Sequence, residues 1–220
     1  MAAADVPAWA KKILKPEDFD RITEAVRKAE QKTSAEIVPM IVRGSTPTGH
    51  VPWLVFLILF LAFWMLLPYV FEMVPVGPAW LWEFGALVLA ALVAWLLSKF
   101  DVVARCLTSA RDEILSVERR ALLEFHLSRI TETRDQTGVL VFVSLLEHRA
   151  VVLSDKKISE KYPPETWERV LNDLITKIKG GDFAGGMCTA IEELGEILAS
   201  EFPHYEGDHN ELADRLIVKD

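Results

Sequence analysis

Two apolar runs separated by a short proline-bearing linker constrain this chain more than any other feature. The first, Val51 to Phe71, is 21 residues without a charge; the second, Ala79 to Ser98, is 20 residues whose only charge is Glu83. A bilayer core of roughly 30 Å needs about 20 apolar residues of helix. With no water in that core, each run must pair its backbone groups internally, so each reads as a helix. Trp53, Tyr69, Trp80 and Trp82 lie near the ends of the runs, where amphipathic rings favour the headgroup layer. Glu83 sits within a turn of the interface and can reach it. Two buried core helices of a soluble protein fit less well, because both runs are apolar all round. The expected arrangement is two transmembrane helices, 51–71 and 79–98, joined by the tight turn Glu72–Pro78.

The flanking charges orient that hairpin. Lys32 and Arg43 precede it, Lys99, Arg105, Arg111 and Arg119 follow it, and the turn has no basic residue. An excess of Lys and Arg marks the cytoplasmic side, so both termini are expected in the cytoplasm of a cell with the hairpin in its inner membrane. The first 15 residues contain no apolar stretch of signal-peptide type. Of the net charge of −8, residues 1–50 contribute +1, residues 51–98 −2 and residues 99–220 −7. Such a balance repels phosphates and argues against a nucleic-acid partner, leaving the lipid bilayer and other membrane proteins as expected partners. A homo-oligomer is compatible with it. Cys106 and Cys188 stand singly without metal-ligand spacing and read as thiols in a reducing compartment.

The remaining residues suit one domain of ordinary size. Pro16-Glu17 opens an amphipathic helix with Phe19, Ile22, Val26 and Ala29 on one face, its first-turn acids placed where the helix dipole favours them. Glu36 to Arg43 reads as a strand buried on both faces, and Pro39, which lacks a ladder donor, predicts an edge position or a bulge. Residues 101–133 carry helical periodicity with alternating Arg and Glu on the outer face. Val139 to Leu145 is the most apolar β-branched run outside the hairpin, a central strand, with Ala150 to Ser154 as its hairpin partner. Two helices follow: Glu165 to Lys179, started by prolines and stopped by Gly180-Gly181, and Phe183 to Ala199. The polar tail 204–220 is expected to be loosely held. Removing the hairpin leaves one α/β domain in two parts, 16–46 and 100–203, whose strands share a sheet and therefore lie on one side of the membrane.

Chemistry-bearing patterns are few. There is no glycine-rich phosphate loop, no paired-histidine metal helix and no nucleophile elbow. His50, His126, His148, His204 and His209 are scattered, and the last two near Glu206, Asp208 and Glu211 read as a solvated tail rather than a metal site. Asp135, Asp155 and Glu36 are the candidate ligands for a divalent cation, Ca²⁺ or Mg²⁺, if they meet at the carboxyl or turn ends of the sheet. Asp135 and Asp155 are equally ordinary turn residues.

Three stretches carry a resemblance: Thr33 to Val38, Thr137 to Ser144 and Lys179 to Gly186. Together they resemble the TPM domain family, over roughly residues 16–44 and 100–203, and the inserted hairpin looks like the bacterial membrane-bound branch of that family. The resemblance implies an α/β sandwich with a small mixed sheet flanked by helices and interrupted by the hairpin. It also implies roles in repair or assembly of membrane complexes and, in some members, an acid phosphatase activity with a divalent cation. This chain departs from the family pattern where a site would lie. Gln136-Thr137-Gly138 replaces the usual Asp-Asn-Gly, and Ser154-Asp155-Lys156-Lys157 replaces a Gly-Tyr-Gly. Losing a carboxylate and two backbone-permissive glycines weakens a phosphate or cation cradle. The reading is a non-catalytic interaction module, with a weak cation-dependent phosphatase as the alternative.

Overall fold

The computed structural model describes residues 6–46, 51–73, 78–100, 102–103, 107, 109–205 and 209–220. His50, most of the 72–78 turn, Arg105, Cys106, Glu206 and Asp208, which figure above, lie outside the described residues or have side chains that do. The chain forms two compact units, one of residues 1–45 with 113–220 and one of residues 46–112.

The first unit is built on a four-stranded mixed sheet of β1 (Glu36–Val42), β2 (Gly138–Ser144), β3 (Arg149–Ser154) and β4 (Ile217–Lys219), in the order β3-β2-β1-β4. β1 runs parallel to β2 and β4, and β2 pairs antiparallel with β3. Every residue of β1 and β2 is buried, as their unbroken apolar runs require of strands covered on both faces. One face (Ile37, Ile41, Val139, Val141, Val143) packs on helices α1 (Pro16–Glu30), α6 (Glu168–Lys179) and α7 (Phe183–Ala199). The other (Val38, Met40, Val42, Leu140, Phe142) is covered by Val117, Ala121 and Phe125 of α4 (Ala110–Leu127) and by Ile130. Alternation along each strand sends successive side chains to these two cores. The α/β sandwich expected from the sequence is therefore present.

Local signals account for the helix ends. Pro16 sits in the first turn of α1, whose Asp18 carboxylate accepts the Lys15 N–H at 2.9 Å. Asp182 caps α7 by accepting the Gly185 N–H at 2.9 Å, and Gly181 before it takes φ +86°, the left-handed conformation that ends α6. The long helix expected over 101–133 stops at Leu127; Arg129 turns left-handed (φ 57°) and Ile130–Glu132 is a 3-10 turn. Pro164–Trp167 is likewise a 3-10 turn ahead of α6. At Gly195 a Cβ would come within 2.7 Å of the Ala29 Cβ, so glycine sets how closely α7 approaches α1.

Two expectations are corrected. Pro39 lies in neither an edge strand nor a bulge: the β1–β2 register runs unbroken from Glu36–Gly138 to Val42–Ser144, and β1 has β4 on its other side from Met40 on. The Glu36 N–H bonds to the β2 side at Thr137, so Ile37 and Pro39 face the other way. There the Ile37 N–H is taken by the Glu30 carboxylate, and β4 begins pairing only at Met40. Pro39 occupies the one place on that side where no donor is needed. The tail is not loose at its end either. Ile217–Lys219 adds to β1, burying Leu216 and Val218, and Lys219 Nζ reaches the buried Glu124 carboxylate at 2.5 Å. Arg120 Nε holds the other Glu124 oxygen at 2.9 Å, so the carboxylate is paired on both sides.

The second unit contains α2 (Val51–Met73) and α3 (Ala79–Leu97). Val51 and Val55 of α2 bury against Ala94, and Ala90 is buried one turn before it. Small residues at this i, i+4 spacing let two helix backbones approach closely. Lys99 Nζ lies 3.6 Å from the centroid of the Trp95 ring. Among the described residues one helix, Trp80–Leu97, is long and apolar enough to cross a membrane; Val51–Leu66 is apolar but shorter.

Candidate functional site

Asp135, Asp155 and Glu36 lie at one end of the sheet, a turn end, which is the amino end of the parallel pair. Glu36 is the first residue of β1, in register with Gly138, the first of β2. Asp155 follows β3, and its N–H donates to the Gly138 carbonyl at 2.8 Å. Gly138 is required there, because a Cβ would meet the Ile130 carbonyl oxygen at 2.3 Å. Asp135 lies in the turn before β2, which Gln136 closes with φ 57°.

Each carboxylate has donors of its own. The Glu36 oxygens accept the backbone N–H groups of Glu211 (3.1 Å) and Leu212 (3.2 Å). Asp155 caps the single helical turn α5 (Lys156–Ser159) by accepting the Lys156 N–H at 2.7 Å. Asp135 accepts from the Tyr205 hydroxyl at 2.7 Å and pairs with Lys157 Nζ at 3.4 Å. The Tyr205 hydrogen bond, supported by Lys157, holds the Asp135 carboxyl below the usual carboxylate range against the opposing effect of burial. Among the described residues, no three His, Cys, Asp or Glu side chains group closely enough to hold a metal ion. Ca²⁺ takes six to eight oxygens. Here the Lys157 ammonium already sits beside Asp135, and the Glu36 oxygens are engaged by main-chain donors. The Asp155 Oδ2 is buried without a hydrogen-bond partner, but one free carboxylate oxygen is no ligand set, and among the described residues the arrangement does not fit a resident divalent cation. Its chemical effect is to fasten the segment after α7 to the sheet, reinforced by Thr33 Oγ1 donating to the Phe202 carbonyl at 2.6 Å; Thr137 Oγ1 donates to the Ser34 carbonyl at 3.0 Å and ties the approaches to β1 and β2 together.

Sequence reasoning missed the partners Tyr205 and Glu211, which lie 70 and 175 residues from the carboxylates they meet. It also missed a buried polar cluster at the opposite end of the sheet. The Ser144 hydroxyl donates to Glu147 Oε2 at 2.5 Å, the Ser45 N–H to Oε1 at 3.1 Å, and the two serine hydroxyls lie 2.8 Å apart. A serine closing an apolar strand with a glutamate three residues on was the available signal. The cluster ties the exit of β1 to the β2–β3 turn. Cys188, half-buried in α7, has its thiol pKa pushed up by burial, which keeps it from acting as a ready nucleophile.

Residues 99–197 match the family described as the TPM domain. The matched stretch spans β2, β3 and the helices through α7, and leaves β1 and β4 of the same sheet outside it. A protein with a solved structure is similar in fold: the BA42 protein of the psychrophilic bacterium Bizionia argentinensis, determined by NMR. It has 21% identity, a TM-score of 0.58 and coverage of 94% of this chain and 95% of its own. No curated protein matches.

Proposed function

We propose that this protein is a membrane-anchored, non-catalytic interaction module that serves the assembly or maintenance of membrane protein complexes. In this reading α2 and α3 span the inner membrane of the cell as a hairpin and both termini lie in the cytoplasm. One observation carries it: the apolar surface of α2 and α3 faces outward, with Met65 77% exposed, Trp53 73% and Leu89 62%. Exposed apolar area of that extent is stable in hydrocarbon and costly in water. The engagement of Glu36, Asp135 and Asp155 by donors of the fold supports binding rather than turnover, since hydrolysis needs groups aimed at a substrate.

The full chain, affinity-purified from detergent-solubilised membranes, tests this. Integral membrane proteins should co-purify in stoichiometric amount, and reporters fused at the C-terminus and at Gly77 should report opposite sides of the membrane. Recovery of the chain alone, with metal-dependent phosphomonoester hydrolysis abolished by Asp135→Asn with Asp155→Asn, would overturn the reading in favour of a phosphatase.

A further inference from the structure

The sheet has one long open edge, and it is β3. Its antiparallel register pairs Val139 with Ser154 and continues to Ser144 with Arg149. Because the Asp155 N–H bonds the Gly138 carbonyl, the pairs that exchange hydrogen bonds are every second one: Leu140–Leu153, Phe142–Val151 and Ser144–Arg149. The N–H and C=O groups of Ala150 and Val152 therefore point away from β2. They have no hydrogen-bond partner among the described residues.

This edge is recessed. A cleft of about 370 Å³ runs beside Arg149, Ala150 and Val151, with Ile114 and Val117 of α4 on one side and Leu171 and Ile175 of α6 on the other. Val151 belongs to the core under α4, and Ala150 and Val152 to the core under α6, so the cleft has an apolar wall for each face of an added strand. Its charged lining holds two basic side chains, Arg149 and Lys179, against one acid, Glu118, in a chain of net charge −8. The Arg149 Nε is buried and makes no hydrogen bond; it forms a long ion pair with Glu113 at 4.0 Å.

We propose that this cleft binds an extended acidic peptide segment of a partner protein, which adds to the sheet as a fifth strand along β3. The inference rests on the interaction-module reading and names its docking site. The Ala150 and Val152 main-chain groups supply the pairing, the two apolar walls take alternate side chains, and Arg149 with Lys179 selects a partner strand bearing Asp or Glu. A second copy of this chain fits less well. Its own α4 and α6 flank its β3, and edge-to-edge pairing would drive the helices of the two copies into each other.

The test uses the full chain in detergent micelles and a fluorescein-labelled eight-residue peptide alternating Val with Glu or Asp. Binding by anisotropy should fall about tenfold or more when the bonding amides of the peptide are N-methylated, and about three- to tenfold when lysine replaces its acids. Ala150→Pro removes an edge donor without touching the β2 ladder, so it should also cost about tenfold while circular dichroism stays unchanged. Arg149→Ala with Lys179→Ala should abolish the preference for the acidic peptide. Amide exchange at Ala150 and Val152 should be fast in the free protein and slow at least tenfold with peptide bound. No binding, equal binding of the N-methylated or lysine peptide, or indifference to Ala150→Pro would each overturn the proposal. So would a dimer in sedimentation that Ala150→Pro dissolves, since the edge would then belong to a second copy. Co-purification of membrane proteins that persists in Ala150→Pro would sink the docking site and leave the module standing; its absence in the native chain sinks the module itself.

Discussion

The two units of this chain treat apolar side chains in opposite ways. In the unit of residues 1–45 with 113–220, Phe142, Ile41 and Leu140 point into two closed cores, and the helices that cover them turn charged faces outward. Among the described residues of the unit 46–112, Val51, Val55 and Ala94 form a small buried centre and Ala90 is buried too, while Trp53, Leu89 and Trp95 face outward. The first unit is ordered by water, which drives apolar area inward at roughly 25 cal/mol per Å². The second has no such gradient along its helices, where many large apolar side chains face outward. Hydrophobic fraction already separates the two stretches in the sequence; the structure adds the direction in which the side chains point.

Dividing the first unit has the largest expected effect. A fragment of residues 113–220 lacks β1, which pairs with both β2 and β4, and should lose cooperative unfolding altogether and aggregate through its open edges. A fragment that gives a sigmoidal urea transition would show that the two parts do not share one core. Phe142→Ala should cost about 3–5 kcal/mol of stability for the first unit, because the ring is fully buried. Phe84→Ala, at a ring 61% exposed in α3, should leave that transition in place; a shift as large as that of Phe142→Ala would mean that the second unit is packed like the first. Leu89→Arg addresses the second unit from the other side. If α3 lies in hydrocarbon, the charge costs about 2.5–3.5 kcal/mol of insertion, visible as protein released by alkaline carbonate. Unchanged membrane retention would move Leu89 out of the bilayer.

The smallest effect concerns Asp135. Its folded pKa lies below the reference value of 3.8, so its charged form is favoured by folding. That contribution is fully present above the unfolded carboxylate pKa of about 4 and is lost as pH falls through the lowered folded value. Asp135→Asn should therefore flatten the acid side of the stability-against-pH curve and leave it unchanged between pH 6 and 8 apart from a constant offset, on the order of a few tenths of a kcal/mol at this half-exposed site. Tyr205→Phe should do the same more weakly. Identical acid limbs in all three proteins would remove the Tyr205–Asp135 contact from the account.

Much of the fold was legible because its signals are local. Gly180-Gly181 and Asp182 mark the stop of α6 and the start of α7 to the residue, and the β-branched run of β2 is a buried strand in any context that covers it. The three candidate carboxylates were legible as turn and strand-end residues. Their fate was not, because Tyr205 and Glu211 come from a polar segment with no periodicity of its own. β4 was missed for a related reason: three residues are too few for a strand signal, and Ile217–Lys219 is a strand only because β1 offers an unpaired side beyond Pro39.

The division of the chain follows from local residue patterns. Two apolar runs of about 20 residues, charged only at Glu83, can be little other than long apolar helices, and the continuous apolar strand runs around them demand a sheet covered on both faces. Only the tertiary structure decided which side of β1 is open, that Pro39 sits where no donor is missed, that the sheet-end carboxylates meet main-chain, tyrosine and lysine donors, and that β3 keeps a recessed free edge. Those outcomes depend on contacts between residues far apart in the chain. Their free energies come from groups that meet only after the sheet has closed, and no local pattern records them.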